Sequence, residues 1–223
     1  NVRIAVMDTH WFLRERHPGE RARFFERMQQ MIDGAQGREV ILLAHHAYRS
    51  AGPHGMIVPG YHTLGGAYIM KQAGALLQDL NSPPYADLLS GLRQTFNSAR
   101  KPPLIYAGGH DHSLQVLTSK EEFDPRFNLV SGSGSKLSTI QMGTGLVWGA
   151  SRPGYMMLVF RKADGVDLFV VAGDPARLSC TGADEERTRC MTEATNAFEI
   201  IYSASLLGES KEPRDIRAPR ADS

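Results

Sequence analysis

Apolar residues fall in short runs that predict most of the β-strands of this chain. VRIAVMD (2–8) predicts a buried strand and PLIYA (103–107) a short apolar strand. REVILLA (38–44) is a continuous apolar run, which is typical of a strand covered on both faces of a sheet. Later segments with strand patterns are SLQVLT (113–118), FNLVS (127–131), a hairpin over 154–173 that turns at Ala163-Asp164-Gly165, and AFEIIYSA (197–204), which fits a strand or a helix.

Helical spacing occurs in two segments. Apolar side chains recur on one face from about Glu20 to Ile32, and Gly34 supplies a stop signal. YADLLSGLRQTF (85–96) has the same spacing after two prolines. The segment 45–64 is rich in Gly, Pro and His and predicts a long loop, a feature that is more often functional than decorative. Helices interleave with buried strands early and hairpins dominate later, so the predicted class is α/β to α+β, with a mixed sheet or a pair of sheets.

Composition narrows the classes of partner. The chain has 223 residues, of which 42% are hydrophobic and 22% charged, and its formal net charge is +1. This balance predicts no attraction to nucleic acid or to an anionic membrane. No apolar run approaches the roughly 20 residues that a membrane-spanning helix needs. The charged, proline-containing segment 208–223 predicts a disordered tail, and residues 1–207 are expected to form the folded domain.

Two cysteines, Cys180 and Cys190, lie in one polar segment. Their spacing matches neither a CxxC redox pair nor half of a zinc cluster. They could close a disulfide, which would contribute roughly 2–3 kcal/mol by the chain-entropy estimate, or they could be free thiols. The residues leave both interpretations open.

The histidines carry the main chemical signal. In AGGHDHSLQV (107–116), His110 and His112 follow an apolar run, and two glycines leave room for a cluster. Side chains at positions i and i+2 of an extended segment point to the same side, so these two imidazoles are expected to converge. His45 ends another apolar run, and His54 follows nine residues later. Neutral imidazole binds zinc, iron and manganese, whereas a single histidine at a strand end is usually only hydrogen-bonded.

Four blocks of the sequence, in order over about residues 1–160, resemble the calcineurin-like metallophosphoesterases. GGHDHSLQVL resembles their GHxH motif, and its continuation is similar to GHDHNLQ of the tartrate-resistant purple acid phosphatases. VILLAHHAYRSAGPHG resembles the preceding motif, in which a strand, a ligand histidine and a loop ending in His-Gly follow one another. VRIAVMDTHWFL and FNLVSGSGSK are similar to the flanking segments, although Ala47 stands where the family pattern has a proline.

The resemblance implies a metal-dependent phosphoester hydrolase, with a β-sandwich flanked by helices as its fold. By position, His45 and His110 would bind the second of two metal ions, and His112 would bind the first. His54 would contact the substrate phosphate or help to protonate the leaving group. The two ions in the complete protein would be iron, manganese or zinc. Resemblance to secreted acid phosphatases, with a Cys180–Cys190 bridge, would favour a location outside the cytoplasm.

Several family motifs do not occur in the sequence. The motifs GDxx[DY] and GNH[DE] do not appear before His45. Asp8-Thr9-His10 spells the first family motif, DxH, but it is interpreted as the Asp-Thr segment that follows the VRIAVMD strand. The chain therefore corresponds to the C-terminal part of the family domain, with three neutral ligands and no bridging acid. We expect it to hold at most one ion, in an open site, and to have little or no phosphatase activity by itself. The alternative is a non-catalytic domain of the same fold that holds one ion or none. Strands such as VILLA are expected to leave an exposed sheet edge that promotes self-association.

Overall fold

The computed structural model describes residues 2–55, 82–134, 136–143, 145–161, 165–174 and 198–208. Its strands form a six-stranded sheet in the order β1-β2-β3-β5-β4-β6 and a three-stranded sheet in the order β7-β8-β9. In chain order the elements are β1 (Val2–Met7), α1 (Thr9–Arg14), α2 (Pro18–Asp33), β2 (Glu39–Ala44), α3 (Pro83–Ser98), β3 (Ile105–Gly108), β4 (Leu114–Thr118), β5 (Phe127–Ser131), β6 (Leu146–Ala150), β7 (Gly154–Phe160), β8 (Val166–Gly173) and β9 (Phe198–Leu207).

The larger sheet is mixed. Strands β1, β2, β3 and β5 are mutually parallel, and β4 pairs antiparallel with both β5 and β6. In the smaller sheet all pairs are antiparallel, and β7 and β8 form the predicted hairpin. The predicted α/β to α+β class, with a mixed sheet or a pair of sheets, is therefore confirmed, since the described strands form two sheets and the larger one is mixed. The segment that fitted a strand or a helix is strand β9.

Strand β2 of the larger sheet is buried on both faces, which explains its continuous apolar run. Val40 and Leu42 join one core, in which the sheet packs against α2 and α3. Ile41 and Leu43 alternate with them and join a second core, shared with the smaller sheet. Fully burying such a side chain stabilises the fold by about 1.5–3 kcal/mol. Because both faces of β2 are covered, no polar alternation appears in its sequence.

A proline starts each of the two long helices, and α2 ends at the predicted stop signal. Helix α2 starts with Pro18 at its first position and ends at Gly34, and α3 starts with Pro83. The two helices pack closely where Gly91 lies against the ring of Phe25, since a Cβ at Gly91 would overlap that ring. Helices α2 and α3 thus pack against each other on one face of the larger sheet.

Two elements were not predicted from the pattern. Helix α1 is too short to show a helical period, and it is held at its start by Asp8, whose carboxylate accepts a 2.8 Å hydrogen bond from the backbone N–H of Trp11. Strand β6 contains Gly149, which weakens a strand signal, and it is recruited by antiparallel pairing with β4. Helix α1 therefore depends on a local cap, and β6 depends on its pairing with β4.

The expectation that VILLA lies at a sheet edge is wrong. Strand β2 is paired on both sides, with Ile41 opposite Ile4 of β1 and Ile105 of β3. The connection through α1 and α2 returns the chain beside β1, and β1 is the outermost strand of the described sheet. Its Ile4 and Val6 side chains are 53% and 74% exposed. The apolar edge is therefore displaced by one strand from the predicted position.

Several predictions fall on residues outside the described ranges. They concern Cys180 and Cys190, the hairpin turn at 163–164, the loop from 56 to 64 and the tail from 209 onward. Among the helices that the structure describes, none has the length and apolar character needed to cross a membrane.

Candidate metal centre

The histidines gather at the carboxyl ends of the parallel strands. Asp8-Thr9-His10 follows β1, His45-His46 follows β2, and Gly109-His110 follows β3. Since parallel strands end at one edge of their sheet, the crevice outside that edge is where open α/β sheets place their ligands. Sequence-distant segments are thereby brought to one place.

Backbone contacts bring the ends of β2 and β3 together. The backbone N–H groups of Gly109 and His110 both donate to the carbonyl oxygen of His45, each at 2.9 Å. At Gly108, a Cβ would lie 2.9 Å from both the Cα of Ala47 and the carbonyl oxygen of His46. Glycine is needed here because two stretches of backbone approach more closely than a side chain allows.

Three imidazoles form a group with metal-binding dimensions. One ring nitrogen from each of His45, His46 and His110 lies within 4.8 Å of the others. The Nδ1 of His110 is 3.0 Å from the Nε2 of His45, and the ring centroids of His46 and His110 are 4.7 Å apart. His46 and His110 are buried, whereas His45 is exposed. No carboxylate or thiol belongs to this group in the described part of the chain.

His46 is held from two sides. Its Nδ1 is 2.8 Å from the Oγ1 of Thr9, the first residue of α1. Its ring meets that of Tyr85 edge-on, with centroids 5.5 Å apart, and the hydroxyl of Tyr85 donates to the carbonyl oxygen of Ala47. The side chain is fully buried, and its Nε2 has no hydrogen-bond partner in the described structure. The imidazole is therefore held at Nδ1, and its Nε2 is the ring nitrogen left without a partner among the described residues.

The surroundings keep His45 and His46 neutral. Burial, with the neighbouring His110 and His45 next in importance, lowers the pKa of His46 to about 3. Partial desolvation lowers the pKa of His45, and the nearby His10, His112 and His54 lower it further. A neutral imidazole has the lone pair that metal binding requires, so His45 and His46 are in the ligand form at neutral pH.

The structure brings together most of the residues that the sequence singled out. His45 and His110 are in contact, and the ring of His54 packs on that of His110 with centroids 4.1 Å apart. His112 lies near enough to affect the pKa of His45, yet it is outside the three-imidazole group. The roles assigned to these four histidines remain predictions.

The expected reason for the convergence of His110 and His112 is wrong. Strand β3 ends at Gly108 and β4 begins at Leu114, so the histidines lie in a bent connection and not on an extended strand. Within it, the backbone N–H of Ser113 donates to the carbonyl oxygen of Asp111 at 2.9 Å. The alternation of side chains along a strand therefore does not apply, and only His110 of the pair joins the group.

Asp111 anchors the loop that carries His54. It is fully buried and accepts hydrogen bonds from the hydroxyl of Ser50 and, at 3.2 Å, from the backbone N–H of His54. A Cβ at Gly52 would lie 2.5 Å from its Cγ, so this loop passes directly over the carboxylate. Gln115 adds a second anchor by accepting from the backbone N–H of Ala51 at 2.7 Å. The Asp and Gln of DHSLQ thus position His54.

A second buried carboxylate, Asp124, ties the same loop to the β4–β5 connection. It accepts hydrogen bonds from the hydroxyl of Tyr48, from the guanidinium of Arg49 and, at 2.9 Å, from the hydroxyl of Ser119. Burial alone would raise the pKa of Asp124, but these hydrogen bonds outweigh it and lower the pKa. The charge of Arg49 is paired within the fold.

No role was predicted from the sequence for His46, Thr9 or Asp111. The signal at His46 was its adjacency to His45. Thr9 is part of Asp8-Thr9-His10, which was matched to the Asp-Thr segment of the resembling family. Asp111 lies between His110 and His112, and only those two histidines were considered as candidates.

These residues do not all suit a bridged pair of metal ions. Such a pair needs a shared carboxylate, and the acid inside the GHDH segment, Asp111, is already committed to Ser50 and His54. Three neutral imidazoles do suit a single zinc-type ion with one open position. The described residues therefore fit one ion and not a bridged pair.

Comparison with known proteins gives a similarity of fold. No family model and no curated protein matches the chain. Among solved structures, it is similar to GAP50, "the anchor in the inner membrane complex of Plasmodium", with a TM-score of 0.53 and 14% identity over 95% of this chain and 50% of that chain. A purple acid phosphatase, PPD1 from yellow lupin (Lupinus luteus) seeds, gives a TM-score of 0.47 and 16% identity over 76% of this chain and 28% of that chain. The first similarity shows a shared fold, and the second is too weak to add to it. The chain therefore spans half the length of the GAP50 chain and 28% of the length of the phosphatase chain.

Proposed function

We propose that this chain is a metallophosphoesterase-like domain that supplies the histidine side of a metal centre for the hydrolysis of phosphate esters. The observation that carries the proposal is the contact of His45 with His110 at the carboxyl ends of neighbouring parallel strands. The order of the sequence motifs supports it, because the two motifs that contribute these histidines are those that meet in the structure. A location outside the cytoplasm is part of the same proposal and rests on the resemblance alone.

Within this proposal, each residue has a defined task. A bound zinc-, iron- or manganese-type ion would polarise a phosphoryl oxygen and acidify its bound water. His45 and His110 would hold that ion, and His112 would serve a second ion whose remaining ligands lie outside the described residues. His54, packed on His110 and held by Asp111, would meet the phosphate or the leaving group. The chain by itself would hold at most one ion and show little or no turnover.

A second candidate is a non-catalytic domain of the same fold. The observation that favours it is the absence of any acidic ligand from the imidazole group in the described residues. The GAP50 structure, which shares the fold, is named as an anchor and not as an enzyme. In this case the cluster would stabilise the fold, or bind one ion, without acting on phosphate.

Phosphate binding separates the two candidates without requiring turnover. The purified chain would be loaded with Mn²⁺, and broadening of the ³¹P signal of inorganic phosphate would be measured. The hydrolase proposal predicts broadening beyond that of free Mn²⁺, and this excess should be lost in His110→Ala and weakened in His54→Ala. The exposed His17, outside the cluster, provides the matched control His17→Ala. Mn²⁺ binding without any phosphate broadening would favour the non-catalytic domain.

Turnover of p-nitrophenyl phosphate tests the claim of incompleteness. We expect rates at background with Zn²⁺, Mn²⁺ or Fe²⁺. Rapid hydrolysis that disappears in His110→Ala would show that the described histidines suffice for catalysis, and the claim that the centre needs further ligands would fall.

A further inference from the structure

We infer that His46 is a metal ligand of this chain, completing a three-imidazole site with His45 and His110, and that Thr9 selects the nitrogen it presents. The inference deepens the metal centre of the proposed function, but it does not require activity toward phosphate. It departs from the ligand set that the resemblance implies, because that set contains His112 and leaves His46 out.

The first support is the geometry of the three rings. Their ligand nitrogens lie within 4.8 Å of one another, a spread that small side-chain movements could close around one ion. His46 packs against both partners, with ring centroids 4.8 Å from His45 and 4.7 Å from His110. His112 is not a member of this group, although its motif made it a candidate. Three imidazoles with an open fourth position form a donor set that zinc and cobalt accept.

The second support is the Nε2 atom of His46. This nitrogen is buried and lacks a hydrogen-bond partner among the described residues. Buried polar atoms are nearly always paired, since leaving one unpaired costs about 1–3 kcal/mol. A metal ion between the three rings would satisfy Nε2 and would also explain why several imidazoles are packed together.

The third support is the contact with Thr9. The backbone N–H of His46 donates to the Oγ1 of Thr9 at 3.3 Å, and the same oxygen lies 2.8 Å from the Nδ1 of the ring. If Nδ1–H donates to this oxygen, Nε2 carries a lone pair and can bind a metal. The other tautomer would bury an Nε2–H group that has no acceptor among the described residues. Metal-binding histidines generally donate their second ring N–H to such an outer partner. Thr9 is therefore a positioning residue.

Cobalt provides a direct readout. The purified chain would be titrated with Co²⁺, following the visible d–d bands that report tetrahedral coordination, and Zn²⁺ affinity would be measured by competition with a chromophoric chelator. We expect one ion per chain and a strong tetrahedral signal. His46→Ala should lose the signal and reduce Zn²⁺ affinity more than His112→Ala does, whereas His17→Ala should resemble the parent chain.

The Thr9 variants test the positioning role. Thr9→Val should reduce Zn²⁺ affinity by about 10- to 100-fold, the range typical for loss of an outer partner, and Thr9→Ser should restore it. Circular dichroism and thermal melting would show which variants remain folded, and His46→Asn offers a polar replacement if His46→Ala does not fold.

Two outcomes would overturn the inference. One is a chain in which His112→Ala abolishes binding while His46→Ala leaves it intact, which would restore the ligand set implied by the resemblance. The other is the absence of any tetrahedral cobalt signal, which would mean that the three imidazoles pack together without binding a metal ion. Because no phosphate is involved, a tetrahedral cobalt signal without phosphate binding would reject only the phosphoesterase proposal.

Discussion

Gly108 is the position at which a single methyl group should separate the two halves of the candidate metal centre. It ends β3 immediately before the segment that carries His110, and its backbone lies against that of His46 and Ala47. Gly108→Ala would place a Cβ 2.9 Å from the Cα of Ala47 and 2.9 Å from the carbonyl oxygen of His46. Ordinary Cβ contacts begin at 3.4 Å, so the backbones must part by 3.4 − 2.9 = 0.5 Å.

Two opposing effects decide the outcome. Replacing glycine by alanine at an unstrained position stabilises a protein by about 0.4–1 kcal/mol, through the entropy of the unfolded chain. Forcing an extra carbon into a packed site costs about 1–3 kcal/mol. At Gly108 the neighbours are backbone atoms that cannot rotate away, so the cost should prevail and leave a net loss of about 1–2 kcal/mol. The same displacement separates His45 from His110, so metal affinity should fall together with stability.

Urea unfolding at pH 8 and the cobalt titration described above would measure both effects. Gly134→Ala is the matched control, because a Cβ at Gly134 meets nothing within 4 Å. We expect this control to lie within about 0.5 kcal/mol of the parent chain and to bind cobalt normally. A Gly108→Ala chain as stable as the parent, with an unchanged cobalt signal, would refute the claim that close backbone approach builds the site.

Three further predictions concern acid stability, the buried carboxylate and the exposed edge. In the presence of a chelator, the free energy of unfolding should fall as the pH drops below about 6.5. The reason is that His46 is neutral in the folded chain, where its pKa is about 3, and binds a proton on unfolding. One such group contributes a loss of about 2–3 kcal/mol between pH 8 and pH 4.5, and His46→Asn should flatten the pH profile of stability. Asp124→Ala should lower the free energy of unfolding in urea by about 3 kcal/mol, because it leaves the partly buried charge of Arg49 unpaired. The control Asp87→Ala removes an exposed ion pair and should cost under about 1 kcal/mol. Equal effects of the two variants would contradict a structural role for the buried pair. Val6→Lys should reduce any self-association seen by sedimentation velocity, because a charge on an outermost strand opposes edge-to-edge pairing of two sheets. An unchanged association constant would mean that the chains associate through another surface.

Most of the secondary structure was predictable because it depends on local apolar patterns and stop signals. The run in β2 alternates between two cores, so a continuous apolar sequence correctly indicated a strand covered on both faces. Helix α2 ended at the predicted Gly34. Helix α1 could not be predicted in this way, because its six residues are too few to show a period and their helix depends on the Asp8 cap and on packing.

The class of fold and the candidate histidines His45, His54, His110 and His112 followed from the sequence, because strand patterns and motif spacing are properties of neighbouring residues. Which histidines meet depends on the tertiary structure. The parallel register of β2 and β3 sets His45 against His110, and the bent connection after β3 leaves His112 outside the group. Helix α1 brings Thr9, 37 residues away in sequence, to His46. Such partnerships arise from the order of strands in the sheet and from close backbone approach, and neither of these is recorded in the spacing of residues along one segment.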